Sequence, residues 1–507
     1  MLLDRLLGAI APGWALRRAR QRLAWRNVQA LYEGARSTRR TRNWLAPGTG
    51  PNAELQPALA TLRARSRDLM RNNPFAAAGL ELVVSYQVGA GIVPRSATGD
   101  EALDRQVDDL WARWSPLADA TGRTDLYGLQ ALLARTRAEA GEALALLLPV
   151  PAAEARRRGL PVPLALQVIE PDHLDETHDS TGRGPLIRQG IELDDRGRPV
   201  AYHLREEHPG ESGGLTARPG GALRRYGAEQ VLHLFRQDRP GQLRGVPDLA
   251  PVMTRLRSLD ELEDAALERE KIQACLAAFV TSPAPAAAGP LEGADEAGEP
   301  VKTFYPGMIE RLMPGEGVEF TQPSGVAGFS DLARHQLHAI ATGWGLTYDL
   351  LTGDLSGANY SSLRAGRLAF KRRLERLQWH VLIPGMCERI WQAFIQAAVL
   401  SGALDPRAGG YPAQWAPPVF EMVDPLKDAM AVREQLRMGL LSWGQAVAQM
   451  GWEPRRQAEE IAAWNAVHDD LGLILDSDPR RTAGGGAAQD PRVNSAIEIA
   501  ATGAATG

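Results

Sequence analysis

Lysine is nearly missing from this chain: of 57 basic residues, only Lys271, Lys302, Lys371 and Lys427 are lysine and the rest are arginine. None of the four sits in a glycine-rich turn and no GxxxxGK(S/T) segment occurs, which excludes a P-loop nucleotide hydrolase. Cysteine is equally scarce. Cys275 and Cys387 lie far apart, so neither a disulfide framework nor a zinc cluster is expected, and a reducing compartment is the default. No apolar run reaches about 18 residues without a charge, so no transmembrane helix is expected. Neither sign of charge dominates: the net charge of −4 is not that of a basic nucleic-acid coat. HExxH and SxxK are absent too, and no cofactor is expected. The first 26 residues are basic and amphipathic but lack the continuous apolar core and cleavage site of a secretory signal, and read as an N-terminal arm.

With 507 residues the chain can bury several cores. Helical patterning is expected over 57–72, from Pro74 to about Gln87, over Asp100–Trp114 with Leu103, Val107, Leu110, Trp111 and Trp114 on one stripe, and over Leu126–Ala140. Strands follow at ALALLLPV, LALQVIEP, IRQGIELD, PVAYHLRE and EQVLHLFRQ, with a hairpin at Asp194–Pro199, DDRGRP. Beyond Arg239–Asp248 the pattern predicts a helix to about Ser282, about 30 residues or roughly 45 Å long, with an acidic middle (Asp260 to Glu270) read as a solvated face or inter-rod ion pairs. Pro283 to about Glu299 reads as a linker. Two or three short strands are expected after it, then a helix over Phe329–Trp344. Helices are also expected at Asp424–Met438, Ser442–Met450 and Pro454–Asp470, before a low-complexity tail.

The stretch around which this order is arranged is a Gly/Ser-rich loop, GLTYDLLTGDLSGANYSSLRAG, feeding a long helix. Ser361 or Ser362 is available as its N-cap. Arg364, Arg367, Lys371, Arg372, Arg373 and Arg376 meet one acid, Glu375, which makes the loop-proximal end positive. Pro384 and Gly385 are expected to interrupt and kink the rod. Two readings of the basic residues stay open: pairing with acids of a neighbouring subunit, which spacing alone favours, and contact with nucleic-acid phosphates.

Other candidate chemistry is weak. GESGG at Gly210–Gly214 would make Ser212 a nucleophile only on a strand-to-helix turn, whereas a Gly/Pro-rich loop follows it. Asp331, His335 and His338 share a helix face and with His380 suggest a metal site, but polar residues at a subunit contact explain them as well.

Several segments together resemble the lambda-type family of tailed-phage portal proteins. RPGQLRGVPDLAPVMTRLRSLDELEDAALEREKIQACLAAFV and DLLTGDLSGANYSSLRAGRLAFKRRLERLQWHVLIPGM carry most of the likeness. RARSRDLMRNNPFAAAGLELVVSYQVGAGIVP, LQVIEPDHL, GIELDDRGRPVAYHL and DPLKDAMAVREQLRMGLLSWGQAVAQMGWEP add to it in the family's order. The resemblance implies an α+β portal-type protomer in a ring of twelve. Its parts would be an arm and connector (1–56), an α+β wing (57–246), a first stem helix (247–282), a small β-containing clip (283–325) and a second stem helix (326–345). A tunnel loop (346–362), a kinked helix returning to the wing (363–423), helical crown (424–476) and tail (477–507) would follow.

Function follows from the same resemblance: a channel at the capsid vertex through which double-stranded DNA is packaged and ejected, with no catalytic or metal site of its own. Asn359, Tyr360, Ser361, Ser362, Arg364, Arg367 and Lys371 would face the DNA. The partners implied are further copies of the chain, the terminase large subunit, the major capsid protein or scaffold, and the head-tail connector. The location implied is the virion, with assembly in the host cytoplasm. A phage-derived, metal-dependent nucleic-acid hydrolase is the alternative.

Overall fold

The computed structural model describes residues 39, 48–181, 184–211, 223–274, 278–281, 317–320, 328–357, 360–418, 425–450, 452, 454–473, 475, 478 and 480. The chain divides into two compact units at Glu54/Leu55.

The second unit opens with two helices, α1 (Leu59–Asn72) and α2 (Pro74–Val88). Asn73 separates them: its extended backbone ends α1, its side chain accepts from Ala76 N at 2.8 Å as N-cap of α2, and Pro74 fills the first-turn position where no amide donor is needed. β1 (Val93–Ser96) leads to α3 (Glu101–Trp114), capped by Asp100, and α4 (Leu126–Ala140), capped by Asp125. The tryptophan stripe of α3 is core, as its spacing predicts. Trp111 and Trp114 cluster with Trp391 and Phe394 at centroid distances of 4.9–5.2 Å, and the Trp114 indole donates to Leu164 O at 2.9 Å.

The next block is β-rich. β2 (Glu142–Pro149) lies between β3 (Leu164–Ile169) and β8 (Val231–Phe235), with a short helix, α5 (Ala152–Arg158), between β2 and β3. A second antiparallel sheet runs β4 (Leu186–Arg188), β5 (Ile191–Leu193), β6 (Pro199–Arg205), β7 (Leu223–Gly227). The expected hairpin at Asp194–Pro199 is there: Asp194 Oδ1 accepts from the amides of Arg196 and Arg198. IRQGIELD, expected as one strand, is two. Gln189 and Gly190 both take positive φ, 51° and 79°, the two-residue turn that folds β4 back onto β5. β1 pairs with β11 (Ala413–Ala416), an early-to-late connection that neither four-residue strand announces in sequence.

Beneath these sheets sits a buried charge cluster. Glu142, fully buried, is held by Arg244 through Nε (2.9 Å) and Nη2 (2.6 Å), by His233 Nε2 (3.0 Å) and by Gly245 N (3.0 Å). Arg63 of α1 reaches it at 3.4 Å and also pairs with Glu176 at 2.5 Å, tying the first helix to β2 and to the connection between β3 and β4. Burial alone would raise the Glu142 carboxyl; the Arg244 charge and the His233 hydrogen bond override it and hold the group well below the usual carboxylate range.

The chain leaves this block at Asp248, buried in a two-pronged pair with Arg137 of α4 (3.1 and 2.9 Å). It then enters α6 (Met253–Ala274). The helix expected to reach Ser282 is shorter: residues 278–281 form β9, antiparallel to β10 (Gly317–Phe320). The β-branched and aromatic pair within AFVT suits a ladder better than a rod. Residues 282–316 and 321–327, which hold most of the expected linker and strands, lie outside the described residues. α7 (Phe329–Trp344) falls where the pattern places it and packs its buried Leu337, Ile340, Ala341 and Trp344 in one core with α2 and the start of α6.

α8 (Tyr348–Thr352) precedes α9 (Tyr360–Leu377), which continues without a break into a π-helical segment, Gln378–Cys387, and then α10 (Glu388–Leu400). Pro384 lies inside this π-helical interruption of the α pattern. Its missing N–H leaves a carbonyl one turn back without a donor, and the wider register absorbs the defect, as in the Glu388 N to Ile383 O bond spanning five residues. Gly385 has a separate reason to be there: a Cβ would lie 3.0 Å from Leu234 Cδ1 on β8. The rod spans two cores, with Phe370 and Leu374 in the α2/α7 core and Leu382, Ile383 and Met386 in the tryptophan core. α11 (Pro425–Arg437), α12 (Trp443–Gln449) and α13 (Pro454–Asp470) close the described chain. Ser442 and Gln445 form a reciprocal cap on α12.

Candidate nucleic-acid interface

α7 ends at Gly345 and α8 at Gly353, both left-handed, so the chain turns sharply twice before α9. Between α8 and α9, Asp354 forms a latch. Its carboxylate accepts from Ser356 Oγ (2.6 Å) and Ser356 N (2.9 Å), from the Tyr348 hydroxyl (3.2 Å) and from Arg334 of α7 (3.1 Å). His338, one turn along α7, stacks on Tyr348 at 4.2 Å. The Ser356 bonds foremost, with Tyr348 and Arg334, pull the Asp354 carboxyl down to about 2. The loop is thus pinned at its base to α7, a device that its Gly/Ser content hides.

The latch should hold across the neutral range. A group with a depressed carboxyl contributes stability that is complete above its ordinary value of 3.8 and lost only as pH falls through about 2, so the loop base stays fastened. Asp354→Asn removes the charge and should speed amide exchange at 353–357 about tenfold, with a small fall in the pH-7 unfolding midpoint of the whole protein.

Of the residues expected to face DNA, Asn359 lies outside the described residues. Tyr360, Ser361 and Ser362 already form the first turn of α9, so neither serine is its N-cap. Further along, the helical period of about 100° per residue sorts the basic side chains. Phe370, Leu374 and Leu377 are buried and mark the inner face, and Arg373 turns half-buried toward it. Arg372 and Arg376 point most directly away from it, both exposed; Arg364, Arg367 and Lys371 share one flank, with Arg364 and Arg367 exposed and Lys371 half-buried. Arg364 pairs with Asp428 of α11 at 3.0 Å, and Lys371 lies 3.8 Å from Glu375. The exposed side of the helix is therefore basic, but one of its members, Arg364, is spent on holding α11. Arg367, Arg372 and Arg376 are the cations most open to a polyanion.

The expected metal candidates do not converge. His335 and His338 are exposed on α7, and Asp331, His335, His338 and His380 form no ligand cluster among the described residues. Ser212 lies outside them. One group that sequence reading misses, Glu170, Asp172 and His208, does bring three ligand atoms within 4.8 Å. Arg67 is already there, 2.6 Å from Asp172 and 3.0 Å from Glu170, and supplies the positive charge a metal would bring. Cys387 is buried, and burial pushes its thiol up, so it is inert. No described helix is long and apolar enough to cross a membrane.

Residues 37–378 match the phage portal protein, lambda family. The probable portal protein of Halomonas phage phiHAP-1 is 27% identical over 468 residues, covering 87% of this chain and 86% of that one. Portal protein B of Escherichia phage lambda is 24% identical over 367 residues, covering 64% and 66%. Among solved structures, a chain from the neck of a native GTA particle computed with C12 symmetry is 17% identical with a TM-score of 0.43, covering 77% of this chain and 94% of that one. These relationships give the hydrolase alternative no support. On the match over two thirds of its length, the chain belongs to the lambda family of phage portal proteins.

Proposed function

We propose that this chain works as a ring, twelve copies around an axial channel at the capsid vertex, through which double-stranded DNA enters during packaging and leaves on ejection. The observation that carries the reading, beside family membership, is a set of helices that one copy leaves uncovered. α11 and α13 bury no residue, while Leu426 is 67%, Trp464 57% and Trp452 59% exposed. Apolar side chains repeated along short amphipathic helices need a partner surface, and in a ring each copy supplies it to the next.

In this reading residues 57–246 are the wing, 247–282 and 326–345 the stem, 283–325 the clip and 424–476 the crown. The loop at 346–362 is hung between the stem and α9, so that Asn359, Tyr360, Ser361 and Ser362 and the basic outer face of α9 meet passing DNA. The pinned base supports this, because a loop contacting a sliding polymer must return to one position. A narrow basic band in a ring of slightly acidic copies attracts phosphates without holding them along the whole channel. The clip meets the terminase large subunit and later the head-tail connector, and the wing meets the major capsid protein or scaffold. The chain's role is structural, in the virion, after assembly in the host cytoplasm.

Electron microscopy of the purified full-length protein tests the ring. The expected particles have a central hole and close to twelve-fold rotational symmetry, with a native mass near twelve protomers of 54.9 kDa. Monomers with no tendency to assemble, or metal-dependent cleavage of DNA by the purified protein, would overturn the reading.

A further inference from the structure

On the buried side of α9, where it crosses α2 and α7, lies a small, partly open cavity of about 10 Å³, lined by Gln87, Asp248, Trp344, Gly345 and Arg373 among others. That is room for one particle the size of a water molecule or slightly larger once a flexible side chain gives way. Its lining is unusually short of partners. Gln87 is fully buried, yet neither its side-chain nitrogen nor its side-chain oxygen has a hydrogen-bond partner; the Trp344 indole N–H, on a residue 1% exposed, has none either. The benzo edge of Trp344 is pressed against Gly79 of α2, where a Cβ would lie 2.2 Å from it, which fixes the ring and leaves Nε1 on the opposite edge.

Charge around the cavity is unbalanced. Arg373 lies half-buried over Gly345, its guanidinium occupying the space a side chain there would take, and no hydrogen bond from it is present among the described residues. The one carboxylate in the lining, Asp248, is already engaged by both prongs of Arg137 and by Arg236 at 3.5 Å. Burial, with the like charges of Arg236 and Arg137 reinforcing it against Asp248, pulls Arg373 below the usual arginine range. The two buried donors, the Trp344 N–H and Gln87 Nε2, lie beside a cation with no hydrogen-bonded counterion and call for an acceptor that also carries negative charge; Gln87 Oε1 is the one group such an acceptor does not serve.

We infer that this cavity is a site for a single monatomic anion of the chloride class, bound by the Trp344 N–H, the Gln87 amide and the Arg373 guanidinium. A bound water would satisfy the two neutral groups but leave the cation uncompensated; a phosphate or sulfate is too large. The anion would fasten three elements at once: α2, the end of α7 and the first half of α9. This inference does not depend on the ring or on DNA.

The test is thermal unfolding of the full-length protein in sodium chloride, sodium bromide and sodium isethionate at one ionic strength, isethionate being too bulky to enter. Chloride and bromide are expected to raise the melting midpoint by about 2 °C over isethionate, saturably with concentration. Gln87→Leu, similar in size and free of polar atoms, should fold and lose that difference. Trp344→Phe, which keeps a ring against Gly79 but has no N–H, should shift the half-saturating chloride concentration upward at least several-fold. Equal wild-type midpoints in the three salts would show that the cavity holds only water, and an undiminished halide effect in Gln87→Leu would show that the halide acts elsewhere; either overturns the site.

Discussion

Arg244→Met should cost the fold about 3–5 kcal/mol, the largest loss expected from any single substitution in the two-sheet block. The reason is what it strands. Glu142 and Arg244 are both wholly buried, and the guanidinium is the carboxylate's chief counter-charge, joined to it by three contacts of 2.6–3.0 Å. The remaining Arg244 donors serve the carbonyls of Gln189 and Leu174, which position the β4–β5 turn over the first sheet. Methionine fills most of the volume and supplies none of the charge. In the double variant Glu142→Leu/Arg244→Met the stranded carboxylate is gone, while Arg63 keeps Glu176 and Asp172, so more than half of the lost stability should return. Urea unfolding of the three proteins measures this.

The pH dependence separates a charge effect from lost packing. In the wild-type protein the Glu142 carboxyl is depressed, so its contribution is complete above its ordinary value of 4.5 and lost as pH falls below it. Without Arg244, burial is the leading influence and the carboxyl moves upward, which penalises the folded state at pH above its ordinary value. The deficit of Arg244→Met should therefore be larger at pH 7 than at pH 5. A deficit equal at the two values would assign the loss to packing instead.

What sequence pattern can reveal here depends on how local the cause is. The stripe Leu103, Val107, Leu110, Trp111, Trp114, the cap-plus-proline start at Asn73–Pro74 and the Pro454–Asp470 helix are each specified within one element, and each appears with nearly the expected bounds. Features set by another part of the chain are not visible. Gln189 adopts positive φ although glutamine has no preference for it, because its amide is held by Asp179 Oδ1 at 2.6 Å and the Arg244 guanidinium takes its carbonyl; the only local hint is the glycine that follows. Asp354 looks like one polar residue in a Gly/Ser-rich loop, and its role as latch appears only once Arg334, twenty residues earlier, lies beside it. Pro384 marks where the α pattern gives way to a π segment; that the rod stays continuous through it is set elsewhere, by burial of Leu382, Ile383 and Met386 on one side and Phe370 and Leu374 on the other. The six basic residues of α9 are legible as a cluster, whereas their division into an outer face, an ion pair to α11 and an inward Arg373 requires the helix to be placed among its neighbours.

That division determines how the DNA-contact proposal is best tested. Arg364 is a poor probe on its own: Arg364→Glu breaks a 3.0 Å pair with Asp428 and sets two acids against each other, so a packaging defect there would report loss of the α9–α11 contact as readily as loss of a phosphate contact. Arg367→Glu, Arg372→Glu and Arg376→Glu together change exposed side chains and leave the buried Phe370, Leu374 and Leu377 untouched. Surface reversals of this kind alter stability by well under about 1 kcal/mol each, so rings should assemble as wild type. Repeated in every copy, they turn an attractive band repulsive toward a polymer carrying one negative charge per about 1.7 Å, and packaged full-length genomes should fall by at least about tenfold. The charge-keeping triple to lysine should package near wild type, since a phosphate contact asks for a cation and not for a two-pronged fork. Normal genome yield from the glutamate triple would remove α9 from the DNA path, and a failure shared by the lysine triple would mean that these arginines hold neighbouring protein rather than nucleic acid.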